Sequence, residues 1–360
     1  MNPVPSGHGR MNHKFCTGLS VPECLPVQNC ISTCMIGVTR MALHRENGKE
    51  QPYIPAGPFK IRIPFIHYRW EISECLQAIL MCATCLGAIP VLQELLGVPY
   101  EVAWSMVIIN GFFYNLHSLL GDPVVPGWIT PAIPLVTAFL TLTEQGPERV
   151  QTMIALQLVV GLIFLFMGIT GLASKIIGAI PNAIKAGILL GAGFSAIMGE
   201  FKDGGRAGLY PVTVLVGSIF AYFLLFSLLF KKMKSKNKLW YMVGNFGMLP
   251  AVIVAVIVGP LSGELPAPNL VLGSIIKIPD FAIIWNTLSP FAIGFPSIGK
   301  IISTIPTAIA VYIIAFGDFV SSEQLIRSAE EVRTDEKIDF NANRSNIISA
   351  IRNIVQAFIC

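Results

Sequence analysis

A chain of 360 residues that is 53% hydrophobic, only 13% charged and of mean hydropathy +0.66 cannot present a mostly polar surface to water. Those figures exclude an ordinary soluble domain, and the net charge of +4 reads as topology information, not as a nucleic-acid footprint. The apolar runs are about 20 residues long, enough for a helix to cross a hydrocarbon core of roughly 30 Å, and they lack the alternation of an outer-membrane barrel. The expected class is an all-α polytopic membrane protein, with the lipid bilayer as its solvent.

Residues 1–57 are expected to be a disordered cytoplasmic segment, and residues 1–40 need not be native if Met41 is the true start. Cys16, Cys24, Cys30 and Cys34 are spaced C-x7-C-x5-C-x3-C, which is not the paired short spacing of a zinc site. The segment also lacks the apolar core and cleavage pattern of a signal peptide. Cys75, Cys82 and Cys85 lie in or beside the first apolar run, where free cysteine serves as a small packing residue.

Spans are predicted near 73–96, 101–120, 128–142, 150–172, 178–199, 211–230, 241–261 and 303–325, about eight crossings with the third short and proline-rich. A further apolar region at 281–298, broken by Pro290 and Pro296, fits an interfacial hairpin as well as a span. Lysine and arginine in short loops mark the cytoplasmic side. Lys60, Arg62 and Arg69, the run KKMKSKNK at 231–238, and Arg327, Arg333, Lys337, Arg344 and Arg352 all fall on one side if the spans alternate. The opposite loops carry Glu94, Glu101, Glu144 and Glu148, with Arg149, Lys202 and Arg206 reducing the contrast. The N-terminus is therefore expected in the cytoplasm.

Between the second and third runs stands GDPVVPGWITPAIP, with prolines at 123, 126, 131 and 134. Proline lacks the N–H that a helix needs, so this is either a loop or backbone broken for a purpose. Gly127 accepts unusual backbone angles, Trp128 also suits an interfacial aromatic belt, and Pro131 and Pro134 suit the first turn of a following half-helix.

Ionisable residues inside spans are costly and mark functional candidates. Asp318, in AVYIIAFGDFVSSEQL, is the first, as a carboxylate able to take up and release a proton; the ordinary alternative is a hydrated helix end. Gln77 is the second, because an amide donates and accepts at once; it serves equally as glue between helices. Asn110 raises the same question, and Lys185 is expected to snorkel towards an interface. Gly187, Gly191 and Gly193 would let a neighbouring helix approach closely. The sequence has no phosphate loop, no H-E-x-x-H pair and no magnesium-binding aspartate cluster. The reading is not an enzyme, with no cofactor, no metal and no nucleic-acid partner. The acidic run SAEEVRTDEKID, ending at 339, reads as a solvated connection.

With these residues in view the chain resembles the uracil/xanthine permeases, the second nucleobase-cation symporter family that includes the nucleobase-ascorbate transporters. LQAILMCATCLGAIPVL is similar to that family's first helix, with Gln77 followed thirteen residues later by Pro90. INGFFYN is similar to its second helix, VVPGWITPAIP stands where the family has a short extended strand before a half-helix, and AFGDFVSSEQL with NRSNIISAIRNIVQAF resembles its eighth helix and the start of its ninth.

The resemblance implies a fold of seven plus seven inverted segments, divided into core and gate domains, with a third segment that is half strand and half helix. On that frame residues 58–172 hold core segments 1–4, 173–265 gate segments 5–7, 266–302 an extracellular connection, and 303–360 segment 8 and the start of segment 9. Substrate contacts are expected at Gln77, Gly127, Trp128, Ile129, Thr130 and Asp318, with Asp318, directly after Gly317, expected to take over proton coupling from the family's usual position. Family members carry a glutamate three residues before the glycine matching Gly317, where this chain has Ile314. The chain also stops at Cys360, before a tenth segment.

The expected function is a proton-coupled secondary transporter of a small polar solute of nucleobase type, in the cell membrane, with H+ and the solute as partners and a homodimer as a possible assembly. An anion permease of the same general architecture is the alternative. A third reading, from another class, is a non-transporting fragment or membrane assembly partner.

Overall fold

The computed structural model describes residues 48–68, 72–124, 132–202, 204–267, 277–332 and 334–359. It is mostly helical, 74%. In chain order the helices are α1 Ile72–Cys85, α2 Ala88–Leu96, α3 Tyr100–Leu119, α4 Ile133–Leu140, α5 Pro147–Ile169, α6 Leu172–Ala179, α7 Asn182–Glu200, α8 Arg206–Leu209, α9 Pro211–Phe226, α10 Leu228–Lys236, α11 Lys238–Asn245, α12 Leu249–Leu261, α13 Phe281–Leu288, α14 Pro290–Ile293, α15 Ile298–Val332 and α16 Ala342–Ile359. Local chemistry sets several of these limits. Prolines open α5, α9 and α14, where the missing N–H is harmless. Gly97 ends α2 in the left-handed conformation, φ 70°, with its N–H on the Gln93 carbonyl.

Among the described residues, three helical stretches are long and apolar enough to cross a membrane: Ile72–Leu96, Pro147–Ile169 and Ile298–Val332. The number rises to five if the bent pairs α9–α10 (63°) and α11–α12 (86°) are each one span. α3 and α7 stand as helices where spans were expected. The expected third span is described only as α4, eight residues long, which at 1.5 Å per residue is too short to cross. The region at 281–298 folds as α13 and α14, a short apolar pair and not a span.

α5 is the axis of the packing, with α16 laid along one side and α15 along another. Phe164 of α5 meets Tyr312 and Phe319 of α15 edge-on, ring centroids 4.9 and 5.9 Å away. The close helix approach falls at Gly161 and Gly168 of α5. A Cβ on Gly168 would lie 2.6 Å from Ile347 Cγ1, 2.9 Å from the Asn343 carbonyl oxygen and 3.0 Å from the Ile347 nitrogen. Gly187, Gly191 and Gly193, expected to serve that purpose, have nothing within 4 Å of the place a Cβ would take. They lie on the exposed α7, so small residues there admit no neighbour.

The only strands among the described residues are an antiparallel hairpin, β1 Ile54–Ala56 and β2 Phe59–Ile61, with Pro55 opposite Lys60. A positive φ of 58° at Gly57 followed by Pro58 suits the mirror-image turn that matches strand twist. Part of this hairpin falls within the segment expected to be disordered. It is held because the Lys60 and Arg62 amides donate to the Leu120 and Leu119 carbonyls at 3.1 and 2.8 Å. Gly121 (φ 82°) is required there, since a Cβ would stand 2.4 Å from the Lys60 carbonyl oxygen. Lys60 Nζ then reaches Asp339 (2.6 Å) and Glu50 (2.7 Å), and Arg344 reaches Asp339 (3.0 Å).

Burial alone would raise the Asp339 carboxyl, but hydrogen bonds from Lys60 and Arg344 hold it below the ordinary carboxylate value. A depressed carboxyl stabilises the fold above its unfolded value and loses that contribution as pH falls through its folded value. Hydrogen exchange of residues 48–62 is therefore expected to accelerate below about pH 4, and Asp339→Asn to show the faster exchange already at neutral pH. Equal exchange in the variant and the parent at neutral pH would remove this role.

Candidate functional site

α16 carries its polar residues inward. Ser345, Ser349, Arg352 and Gln356 follow the i, i+4, i+7, i+11 spacing of one helical stripe, and all are buried, as is Asn346 beside them. Ile347 and Ile354 of the same helix face the α5 glycines. Asn346 accepts at Oδ1 from the Tyr312 hydroxyl (3.0 Å) and donates to the Ala342 carbonyl (2.8 Å). The Arg352 guanidinium lies over the Tyr114 ring of α3, 4.7 Å from its centroid. The Ser345 and Ser349 hydroxyls are buried without a hydrogen-bond partner among the described residues.

At its C-terminal end this stripe joins a chain of three amides on three helices. Gln356 donates to Asn110 Oδ1 of α3, and Gln157 Nε2 of α5 points at Gln356 Oε1 from 3.5 Å. In a chain where each NH2 donates to the next carbonyl, the two terminal groups are one NH2 and one carbonyl. Here those ends are the Asn110 amide nitrogen, which also meets the Tyr114 hydroxyl, and the Gln157 oxygen. They border a cavity of about 160 Å³ whose remaining wall includes Leu92, Met106, Val107 and Met153. The arrangement offers a donor, an acceptor and an apolar surface, and no charge of its own.

One helical turn past Tyr114, the end of α3 holds a buried pair. His117 Nδ1 is 2.8 Å from Asp122 Oδ2, with both side chains fully buried. The Asp122 amide donates to the His117 carbonyl (2.8 Å), and Asp122 Oδ1 accepts from the Val124 amide (3.2 Å). Asp122 thus fixes the chain at the mouth of the proline-rich run.

The sequence-derived candidates divide. Gly127, Trp128, Ile129 and Thr130 lie outside the described residues, as do Cys16, Cys24, Cys30 and Cys34. Gln77 donates to Ser73 O (3.2 Å) and Asn245 O (3.4 Å), and its oxygen fills the space over Gly247, φ 54°. It ties α1 to the bend between α11 and α12. Asp318 is exposed on α15 and makes no hydrogen bond or ion pair among the described residues. Gln77 and Asp318 share no partner. Ile314 packs against the apolar cluster around α5.

Asn110 joins the amide chain. Lys185 does not snorkel: it is buried, with Nζ 2.8 Å from Glu323 Oε2, and Glu323 also accepts from Arg327 one turn on. Burial of that ammonium is possible because a carboxylate meets it. Cys75, Cys82 and Cys85 are unbridged.

Sequence reasoning passed over His117, Asp122, Gln157, Glu323 and the α16 stripe. The i, i+4 pair Glu323–Arg327 and the polar spacing in SNIISAIRNIVQAF were the available signals. No family model and no curated protein matches this chain.

Proposed function

We propose that the protein is a secondary active transporter of a small polar solute, built on the inverted-repeat permease fold and coupled to protons. The observation that carries this reading is the inward polar stripe of α16, from Ser345 to Gln356, inside a bundle of apolar helices. Buried polar side chains among helices able to span a membrane mark a pathway or a binding site, because hydrocarbon gives them no other stable surroundings. The helix breaks after α3 and between α11 and α12 support it, since transporters free backbone groups near their ligands in this way. The proposal places the chain in the plasma membrane with its N-terminus in the cytoplasm.

A nucleobase-like solute suits the uncharged donor and acceptor ends of the amide chain. Asp318 is the carboxylate proposed for coupling, and Gln77 with 127–130 the proposed solute contacts. Arg352, a buried cation, favours the second reading, an anion permease. Uptake of labelled uracil, xanthine and sulfate into proteoliposomes holding the protein separates the two. Asp318→Asn is expected to abolish accumulation driven by a pH gradient while solute exchange continues. Intact gradient-driven uptake in that variant would remove Asp318 from the mechanism.

A further inference from the structure

We propose that His117 and Asp122 form a proton-binding pair, loaded at His117 Nε2, at the junction where α3 gives way to the proline-rich run. The proposal rests on the proton-coupled reading above and adds a second proton site to that of Asp318.

Geometry carries it. A carboxylate only accepts hydrogen bonds, so at 2.8 Å from Asp122 Oδ2 the His117 Nδ1 is the protonated ring nitrogen. Nε2 is then a bare lone pair. It is buried and has no hydrogen-bond partner among the described residues, whereas every other nitrogen and oxygen of this junction described above is paired. One proton arriving from water therefore has one open place to bind. It makes an imidazolium whose Nδ1–H remains on Asp122, and the same proton leaves from Nε2 with no other bond changed. Asp122 provides the counter-charge, and the C-terminal end of α3, where His117 occupies the last turn, favours a cation.

Charged and titratable neighbours surround the pair on each packed element. Arg352 of α16 acts on His117 and disfavours a second positive charge. Tyr114 of α3 lies under Arg352, facing it with its ring. Tyr68, whose hydroxyl donates to the Ser118 carbonyl, lies within electrostatic reach of both Asp122 and Arg62, and Lys60 of the hairpin is bound through its amide to Leu120. The proton thus enters a junction where one carboxylate, Asp122, and one guanidinium, Arg352, act on His117 itself. Its occupancy changes the charge at the point where Asp122 holds the chain that runs on to 125–131.

A purely structural histidine would keep one protonation state. The protein has five histidines, so uniformly labelled [13C,15N]-histidine protein in lipid nanodiscs gives few ring signals, and His117→Gln identifies the one sought. The His117 Nε2 shift is expected to change with pH in one step as the ring takes up its proton. Asp122→Asn is expected to move that step down by about 1–3 pH units, since the imidazolium loses its counter-charge. A His117 ring that holds one state from about pH 4 to 9 overturns the proposal, as does a step unaffected by Asp122→Asn.

The proteoliposome assay separates this from the transport reading. If solute is taken up, His117→Gln is expected to flatten the pH dependence of uptake, and an unchanged pH profile in a folded His117→Gln protein overturns the coupling. Absence of any solute uptake by the parent protein would defeat the transport reading, and the ring titration would still decide proton binding. The spectrum of the parent protein keeps the proposal testable even if His117→Gln does not fold.

Discussion

Gly168→Leu is expected to force α5 away from α16 and to destabilise the protein by about 2–3 kcal/mol. Two of the three atoms that a Cβ would strike are backbone atoms, the Asn343 oxygen at 2.9 Å and the Ile347 nitrogen at 3.0 Å. No rotamer change relieves a backbone contact, so the helices must separate along the seam where Ile347 and Ile354 face the α5 glycines. Gly161→Ala is the instructive comparison. Its nearest obstacle is Ile354 Cγ1 at 2.8 Å, the movable end of a side chain, so about 1 kcal/mol is expected. Gly187→Ala, with nothing within 4 Å, is expected to be neutral or to gain a few tenths of a kcal/mol through helix propensity. Thermal unfolding of the three variants in detergent checks the order. Equal tolerance at 168 and 187 would show that α5 and α16 do not approach as described.

The second large effect is expected at the ion pair that holds α7. Lys185 is the sole buried residue among the described side chains of that helix, and Glu323 is its partner on α15. Glu323→Gln leaves a buried ammonium without a counter-charge, and a cost of about 3–5 kcal/mol is expected. Lys185→Met should cost less, because Glu323 keeps Arg327, whose side chain is 64% exposed and brings solvent to the carboxylate. The double variant Lys185→Met with Glu323→Leu is expected to recover most of the loss, since removing both charges removes the desolvation as well. Hydrogen exchange along 186–200 reports the local effect. A Glu323→Gln protein with unchanged exchange there would mean that α7 is held by something other than this pair.

Helix placement was legible because it is a local property. The run read near 150–172 became Pro147–Ile169, that near 101–120 became Tyr100–Leu119, and that near 211–230 began at the predicted residue, Pro211. Apolar side chains recur within one segment, and proline or glycine punctuates its ends, so no distant residue is needed to see them. The bend between α11 and α12 left no such trace: a single run near 241–261 was read, and the 86° turn falls at Asn245–Met248, where Gln77 bonds from 168 residues away.

The site was far less legible. SNIISAIRNIVQAF looked like a polar start followed by too little apolar chain, yet α16 is the described helix with the most buried polar side chains, because other helices meet them: Tyr114 over Arg352, Asn110 and Gln157 at Gln356, and Tyr312 at Asn346. Lys185 looked like a snorkelling residue because Glu323 lies 138 residues further on. His117 and Asp122 are near in sequence, but a spacing of five brings side chains together only when the helix ends between them, as α3 does at Leu119. The sequence by itself determined the helical class and the positions of most helices, since hydropathy and backbone propensity act within a segment. Which polar groups are buried, and which partner each one meets, was decided by the tertiary structure, because a buried charge or amide is tolerable only beside a group that another segment supplies.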